Sequence, residues 1–454
     1  MEGVLGVLAP VFWGLLILSL LVFVHEGGHF LAARACGVRV TEFFLGFPCR
    51  FSLHRTSRRT GTTFGITPIL LGGYAMICGM ERFDDEAAGA VLSEIHREGS
   101  LSVAEISERC GIDEGRALDI CVSLMGWGSL APVYDPEKGE SPNGKYYASA
   151  YSSVSRDAAG ATLLDGKRFV REGATVPGEP WNPPFDDAEF LARERSRTYM
   201  GAGFWKRALM LVAGICVNVL TGLLLMVVAY SVIGYEVVYD ENVLGGVQSG
   251  SIAESAGLEP GDVIVSLDGV AVDSWSTLML QVEEVKGDGA VELVYTRDGE
   301  RHAATVDVPD GEMLGIEART GVERLSPIDS VRMAGVYIAE TAKGVAQLLV
   351  PTQTMQVLDN STSIVGISVM SAQAAAAGPT VLLTFSALIS FSLAFMNLLP
   401  IPPLDGGKLL IEIVQAIIGR PVSQRVQTAL SLAGVALFML LFAYMLRADI
   451  LRFF

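Results

Sequence analysis

Apolar residues along this chain gather in long unbroken runs rather than in the short periods of a soluble core. Four runs, about Pro10–Ala33, Leu209–Tyr230, Val381–Leu399 and Thr428–Leu446, are long enough to cross a bilayer, which takes ~20 helical residues. Two long polar regions, roughly 34–203 and 232–330, lie between them. The pattern predicts a polytopic α-helical membrane protein of about four transmembrane helices that carries soluble modules. The first run has no basic residue before it and no small-residue cleavage site after it, so it reads as a retained span.

Inside the polar regions the period shortens. Val38–Phe44, Arg50–His54, Thr62–Thr67 and Tyr74–Ile77 read as short strands, with Gly61, Gly65 and Gly72-Gly73 as turn or bulge signals. They predict a small membrane-associated β-region, and the edge of such a sheet can pair with an extended peptide. Three helical stretches and two strand-like pieces over 84–150 resemble a winged helix-turn-helix. Residues 242–310 carry GSIAESAGLEPGDVIVSLDG followed by VELVYTRDGE and look like a bacterial PDZ domain, an α/β module that binds peptides by strand addition. The expected division is a first transmembrane helix (1–36), the β-region (37–83), the winged-helix-like insert (84–150) and a linker (151–203). A second transmembrane helix (204–232), the PDZ domain (233–320), amphipathic segments (321–380) and the third and fourth transmembrane helices (381–454) follow.

Charge refines this picture. Over 454 residues, half of them apolar, the formal net charge is −17, which argues against a nucleic-acid or anionic-lipid role for the protein as a whole. Asp84 to Glu140 holds 13 acidic and 4 basic residues, a net of −9, whereas duplex phosphates need clustered Lys and Arg. The insert is therefore expected to contact a cytosolic protein, or to have no partner, and to bind no nucleic acid. Arg34, Arg39, Arg50, Arg55, Arg58 and Arg59 follow the first span, Lys206 and Arg207 flank the second, and Lys408, Arg420 and Arg425 lie between the third and fourth. The positive-inside tendency puts 34–203 and 400–427 in the cytoplasm and the PDZ domain outside it. None of the six cysteines falls between 232 and 380 and no CxxC pair occurs, so a disulfide framework is not indicated.

The first span contains its own chemistry. His25-Glu26-Gly27-Gly28-His29 is an HExxH pattern, preceded by LLILSLLVFV and followed by FLAA. On a helix, positions i and i+4 share a face, so both imidazoles can grip one metal ion while the glutamate serves a metal-bound water. Each ionisable residue deep in a bilayer costs ~2.5–3.5 kcal/mol on insertion scales, and such residues usually serve function. A catalytic zinc takes a third protein ligand. His54, His96 and His302 are poorly placed for it: one in a basic loop, one on a polar helix face, one beside a PDZ turn. Asp405 and Glu412 remain. Asp405 follows a stretch whose three prolines break any helix, and irregular backbone near membrane depth belongs where it lines a cavity. Glu412, in the amphipathic KLLIEIVQAII, fits a solvated face or an ion pair, so Asp405 is preferred.

The HExxH of the first span, the N-x-x-P-x-P-x-L-D-G-G of Asn397–Gly407 and the PDZ-like module between resemble the site-2 protease family, of the bacterial regulator of sigma-E protease type. The resemblance implies an intramembrane zinc metalloendopeptidase of the bacterial inner membrane. Its substrates would be transmembrane segments of single-pass proteins, cut in regulated intramembrane proteolysis. It implies Zn2+ held by His25, His29 and Asp405, Glu26 as the catalytic residue, Asn397 as a substrate-backbone contact and Gly72-Gly73-Tyr74 as part of the substrate-binding β-region. This chain has Gly214-Ile215-Cys216-Val217-Asn218 where the family often reads G-P-x-x-N, and Leu70 where a proline is usual. A metal-ion transporter and an inactive PDZ scaffold are the alternatives. The absence of a matching second half argues against the first, and the retained Glu26 against the second.

Overall fold

A computed structural model of the chain describes residues 2–49, 51–141, 147–359 and 361–453. Four helices are long and apolar enough to cross a membrane: Leu8–Ala35, Phe204–Ile233, Pro379–Leu398 and Gln424–Leu451. Their outward positions carry exposed leucines such as Leu20, Leu31, Leu220, Leu224 and Leu440. Apolar surface on that scale is stable only against lipid or another apolar partner. The protein is a polytopic helical membrane protein.

One unit contains residues 1–226 and 332–454. It opens with α1 (Glu2–Ala35), which runs directly into a four-stranded sheet of β1 (Val40–Leu45), β2 (Leu53–Thr56), β3 (Thr63–Ile66) and β4 (Gly73–Ile77). Strand order is β2-β3-β1-β4, so β4 is an edge. Four strands were expected here and four form, the second of them at Leu53–Thr56; Arg50, which the expected strand included, lies outside the described residues. β4 begins against α1. Gly72 takes φ +95° and its N–H bonds Ser19 Oγ at 3.3 Å, while a methyl on Gly73 would sit 2.8 Å from the Phe44 carbonyl oxygen. Only glycine fits that turn without strain.

Next come α2 (Ala88–Glu98), β5 (Ser100–Ser102), α3 (Val103–Cys110), α4 (Glu114–Gly126), β6 (Leu130–Val133) and β7 (Ala150–Ser153), the three strands ordered β5-β7-β6. Residues 142–146 of this stretch lie outside the described set. Val91, Leu92, Ile95, Ile106, Ile120 and Leu124 fill one core from the three helices. The segment 151–203, expected to be a linker, is folded into the same core: α5 (Asp187–Arg195) packs on α2 and contributes Phe190, with Trp181 and Phe185 beside it.

A buried charge cluster ties this insert to the sheet. Arg39 bonds Asp165 bidentately at 2.9 and 2.9 Å and Glu194 at 2.7 and 3.1 Å; Arg156 meets Glu194 at 2.7 and 2.9 Å. Burial alone would raise the Glu194 carboxyl, but Arg156 and Arg39 outweigh it and hold it well below the usual range. His96 is fully buried here, not on a polar face as its sequence suggested. Its Nδ1 donates to the Leu92 carbonyl at 2.8 Å and its Nε2 accepts from Arg156 Nε at 3.1 Å. The local pattern could not reveal an arginine arriving from sixty positions away.

The unit continues into α6 (Phe204–Val227). The other unit, residues 227–331, holds β8 (Tyr235–Val238), β9 (Leu244–Val247), α7 (Ile252–Ser255), β10 (Val263–Leu267), β11 (Val270–Ala271), α8 (Trp275–Glu284), β12 (Ala290–Arg297), β13 (Glu300–Asp307), β14 (Ile316–Ala318) and β15 (Thr320–Glu323). Its main sheet is ordered β11-β10-β12-β13, and Leu258, Ile264, Leu267, Leu278, Leu293 and Val306 form its core.

Back in the first unit lie most of α9 (Pro327–Gln347), then α10 (Pro351–Asp359), α11 (Ile364–Ala376), α12 (Pro379–Leu398), α13 (Asp405–Ile418) and α14 (Gln424–Phe453). The short apolar α11 packs along α1. Asp449 of α14, fully buried, accepts from the Ser363 and Gly366 N–H groups at 2.7 and 3.1 Å and so satisfies the start of α11.

Candidate metal centre

α1 sets His25 and His29 one turn apart on the same face, their rings 4.7 Å apart between centroids and nearly perpendicular. The third group comes from 380 residues on. α12 ends at Leu398, the proline stretch turns the chain, and α13 starts at Asp405. Gly406 and Gly407 are required there, because a Cβ on either would strike the backbone of Leu398 or Ile401. Asp405 Oδ2 lies 3.0 Å from His25 Nε2 and 3.0 Å from His29 Nε2, and the two Nε2 atoms are 3.1 Å apart. All three residues are buried, and together they could hold a metal ion. Glu412, the other carboxylate considered, points elsewhere and pairs with Arg207 at 2.9 Å, buried rather than solvated.

The donor set fits zinc. Donors at ~2.0 Å from a tetrahedral zinc are ~3.3 Å apart, close to the triangle found. The ring tautomers fit as well. His29 Nδ1 lies 2.7 Å from the Met210 carbonyl, which only accepts, so the proton sits on Nδ1 and the Nε2 lone pair faces the cluster. His25 Nδ1 lies 3.2 Å from the Asn218 amide. Asn218 is fully buried and its Oδ1 has no partner among the described residues. Turning that amide by 180° seats Oδ1 on His25 Nδ1–H and frees the second Nε2 in the same way.

Space is reserved too. α6 crosses α1 with Gly28 against Ala213 and Gly214, and a methyl on Gly214 would stand 2.6 Å from His29 Nε2 and 2.8 Å from His25 Cε1. Ser390 of α12 donates to the Asn218 carbonyl at 2.8 Å and pins the third helix to this crossing. Glu26 is half-buried beside His25, and no donor among the described residues bonds its carboxylate.

The remaining residues singled out by sequence do not join the cluster. Asn397 donates Nδ2 to Leu393 O at 2.9 Å on its own helix. Gly72 and Gly73 pack on Val22 and Phe23, just ahead of His25, and Tyr74 donates to Glu42 Oε2 at 2.8 Å. Sequence reasoning noted Gly214 and Asn218 only as motif matches. The signal that could have raised Asn218 is a carboxamide in an otherwise apolar span.

Comparison with known proteins agrees with this geometry. The model of Peptidase family M50 matches residues 13–441. Zinc metalloprotease RasP of Shouchella clausii is 28% identical over 96% of this chain and 98% of its own length. Protease RseP of Yersinia pestis is 28% identical over 96% and 97%, and Regulator of sigma-W protease RasP of Bacillus subtilis 24% over 97% and 98%. With a family match across nearly the whole chain and a His-His-Asp cluster shaped for zinc, this chain belongs to peptidase family M50 and is a zinc metalloprotease of the membrane.

Proposed function

We propose that the protein hydrolyses peptide bonds inside transmembrane segments of single-pass membrane proteins, with His25, His29 and Asp405 holding zinc and Glu26 moving the proton. The convergence of two imidazoles and one carboxylate inside apolar helices carries this reading. Zinc bound there polarises a carbonyl and acidifies water. Glu26, one residue from His25, takes the proton of the attacking water as the C–O bond forms and delivers it to the amide nitrogen as C–N breaks. A substrate helix must unwind to expose its amides, and the open edge of β4, beginning against Val22 and Phe23, offers replacement backbone hydrogen bonds. Asn397 Oδ1 is available to accept a substrate N–H.

The unit 227–331 acts, in this reading, as an extracytoplasmic PDZ domain that refuses substrates with bulky outer domains. Upstream trimming would then gate cleavage of signalling proteins. The 84–150 insert is a cytosolic winged-helix-like module for protein contact. In support, Arg116, the one cation of α4, is taken up by Asp85 at 2.9 Å, which leaves that helix nothing to offer a phosphate.

Glu26→Gln tests the chemistry. Removing a general base alone costs typically ~10²–10⁴-fold in rate. The variant should keep about one zinc per chain by elemental analysis while cleavage of a membrane substrate falls at least that far. A Glu26→Gln protein that still turns over normally would falsify the assignment.

A further inference from the structure

Despite the net charge of −17, four arginines of this chain converge on one cavity. Arg82, Arg195, Arg207 and Arg420 line a hollow of ≈ 340 Å³ together with Phe204 and Gln427. Ligand sites typically occupy roughly 300–1,000 Å³. The arginines come from four places: the approach to α2, the end of α5, the first turn of α6 and the residue after Gly419 that closes α13.

Like charges brought together repel unless anions balance them. Here they are not balanced. Exposed Asp84 stands 3.9 Å from Arg82 and 3.7 Å from Arg195, beyond hydrogen-bond reach of either. Glu412 pairs with Arg207, yet Arg207 Nε is buried without an acceptor among the described residues. Arg420 has no hydrogen-bond or ion-pair partner among the described residues. Four guanidiniums against two carboxylates leave an excess of two positive charges. α6 and α14 also begin at this cavity, and helix N-termini favour anions. Arginine's planar fork matches the oxygens of a phosphate bidentately. The cavity lies where two bilayer-crossing helices start, and Trp205 beside it is 82% exposed, as an interfacial anchor would be.

We propose that this cavity binds a phosphate group, carried by an acidic phospholipid headgroup or by a soluble phosphate, with Arg420 and Arg195, the latter held only by exposed Asp84, as its main contacts. The site is separate from the metal centre and does not depend on the protease reading.

The test uses the full chain, delipidated in detergent at low salt and titrated separately with short-chain phosphatidylglycerol, short-chain phosphatidylcholine and inorganic phosphate, with binding read by native mass spectrometry and calorimetry. Wild type should take up one phosphatidylglycerol per chain in preference to phosphatidylcholine. At about fivefold per basic residue removed, the double variant Arg195→Gln/Arg420→Gln should bind about 25-fold more weakly. Arg420→Lys, which keeps the charge at an exposed position and leaves the fold undisturbed, should show a smaller loss. Failure of inorganic phosphate to compete assigns the lipid headgroup; displacement of the lipid by inorganic phosphate assigns a soluble phosphate. Equal uptake of the two lipids with no phosphate binding, or unchanged phosphatidylglycerol affinity in both variants, overturns the proposal.

Discussion

At Gly214 the missing side chain does the work. A single methyl there would enter the space between the two imidazoles, 2.6 Å from His29 Nε2. Alanine is the better helix former by about 1 kcal/mol, which offsets part of the about 1–3 kcal/mol that overpacking a buried site costs, so Gly214→Ala should lower the melting temperature only slightly. We expect it to weaken zinc binding by at least about tenfold, the scale seen when ligand surroundings are disturbed. Chelator competition on the purified variant decides this, and full zinc affinity would show that the helix crossing can widen. His96 offers a second residue-scale test. Burial, and after it the Arg156 charge, push this imidazole down to about 3. Unfolded, it titrates near ~6.5. Between those values the unfolded chain carries the extra proton, so the stability from burying a neutral ring is complete above ~6.5 and is lost as pH falls, by up to ~1.4 kcal/mol per unit. The melting temperature of the full chain should drop from pH 7 to pH 5, and His96→Gln should flatten that slope. Parallel curves for the two proteins would mean that another group titrates.

Among the elements, the break between α12 and α13 is the one that brings Asp405 to the candidate metal centre. Neither helix could deliver Asp405 if it simply continued: the chain has to leave α12 at Leu398, pass the prolines and restart with the carboxylate in its first turn. Asp405 and Glu412 lie on the same helix, yet one faces the imidazoles and the other faces Arg207. Asp405→Ala should therefore reduce zinc to less than about a tenth of wild type, as expected when one of three protein ligands is removed. Glu412→Gln should keep zinc near one per chain and lower thermal stability by about 1–3 kcal/mol, since it strands a mostly buried arginine. Zinc content and melting temperature measured together separate the two roles; reversed outcomes would reassign the third ligand.

For the whole molecule, the question is what the unit 227–331 adds to the membrane unit. Its own core and four-stranded sheet make it an independent body. If it filters substrates by size, removing 242–310 should let a membrane protein with its outer domain intact be cleaved at a rate near that of the trimmed form. The check is a cleavage assay with both forms, on a deletion that retains zinc. Continued refusal of the untrimmed form would place selection in the membrane unit instead.

Some of this was written in the sequence because it depends only on near neighbours. A run of ~20 apolar residues spans a bilayer wherever it occurs, and an HExxH inside such a run must set both imidazoles on one face. The prolines and glycines around Asp405 announced a break by their own backbone limits. What the tertiary structure decided were relations between distant segments. Gly214 and Asn218 matter because α6 happens to cross α1 at Gly28, and no periodicity along either helix encodes that crossing. His96 had the pattern of a polar face until Arg156 and Trp181 were brought over it, and the loop-like 151–203 gained its order from a core supplied by α2 and α4. The four arginines around the cavity carry the same lesson: each is an ordinary flanking charge in sequence, and only folding sums them into a site, because electrostatic energy depends on distance in space and not along the chain.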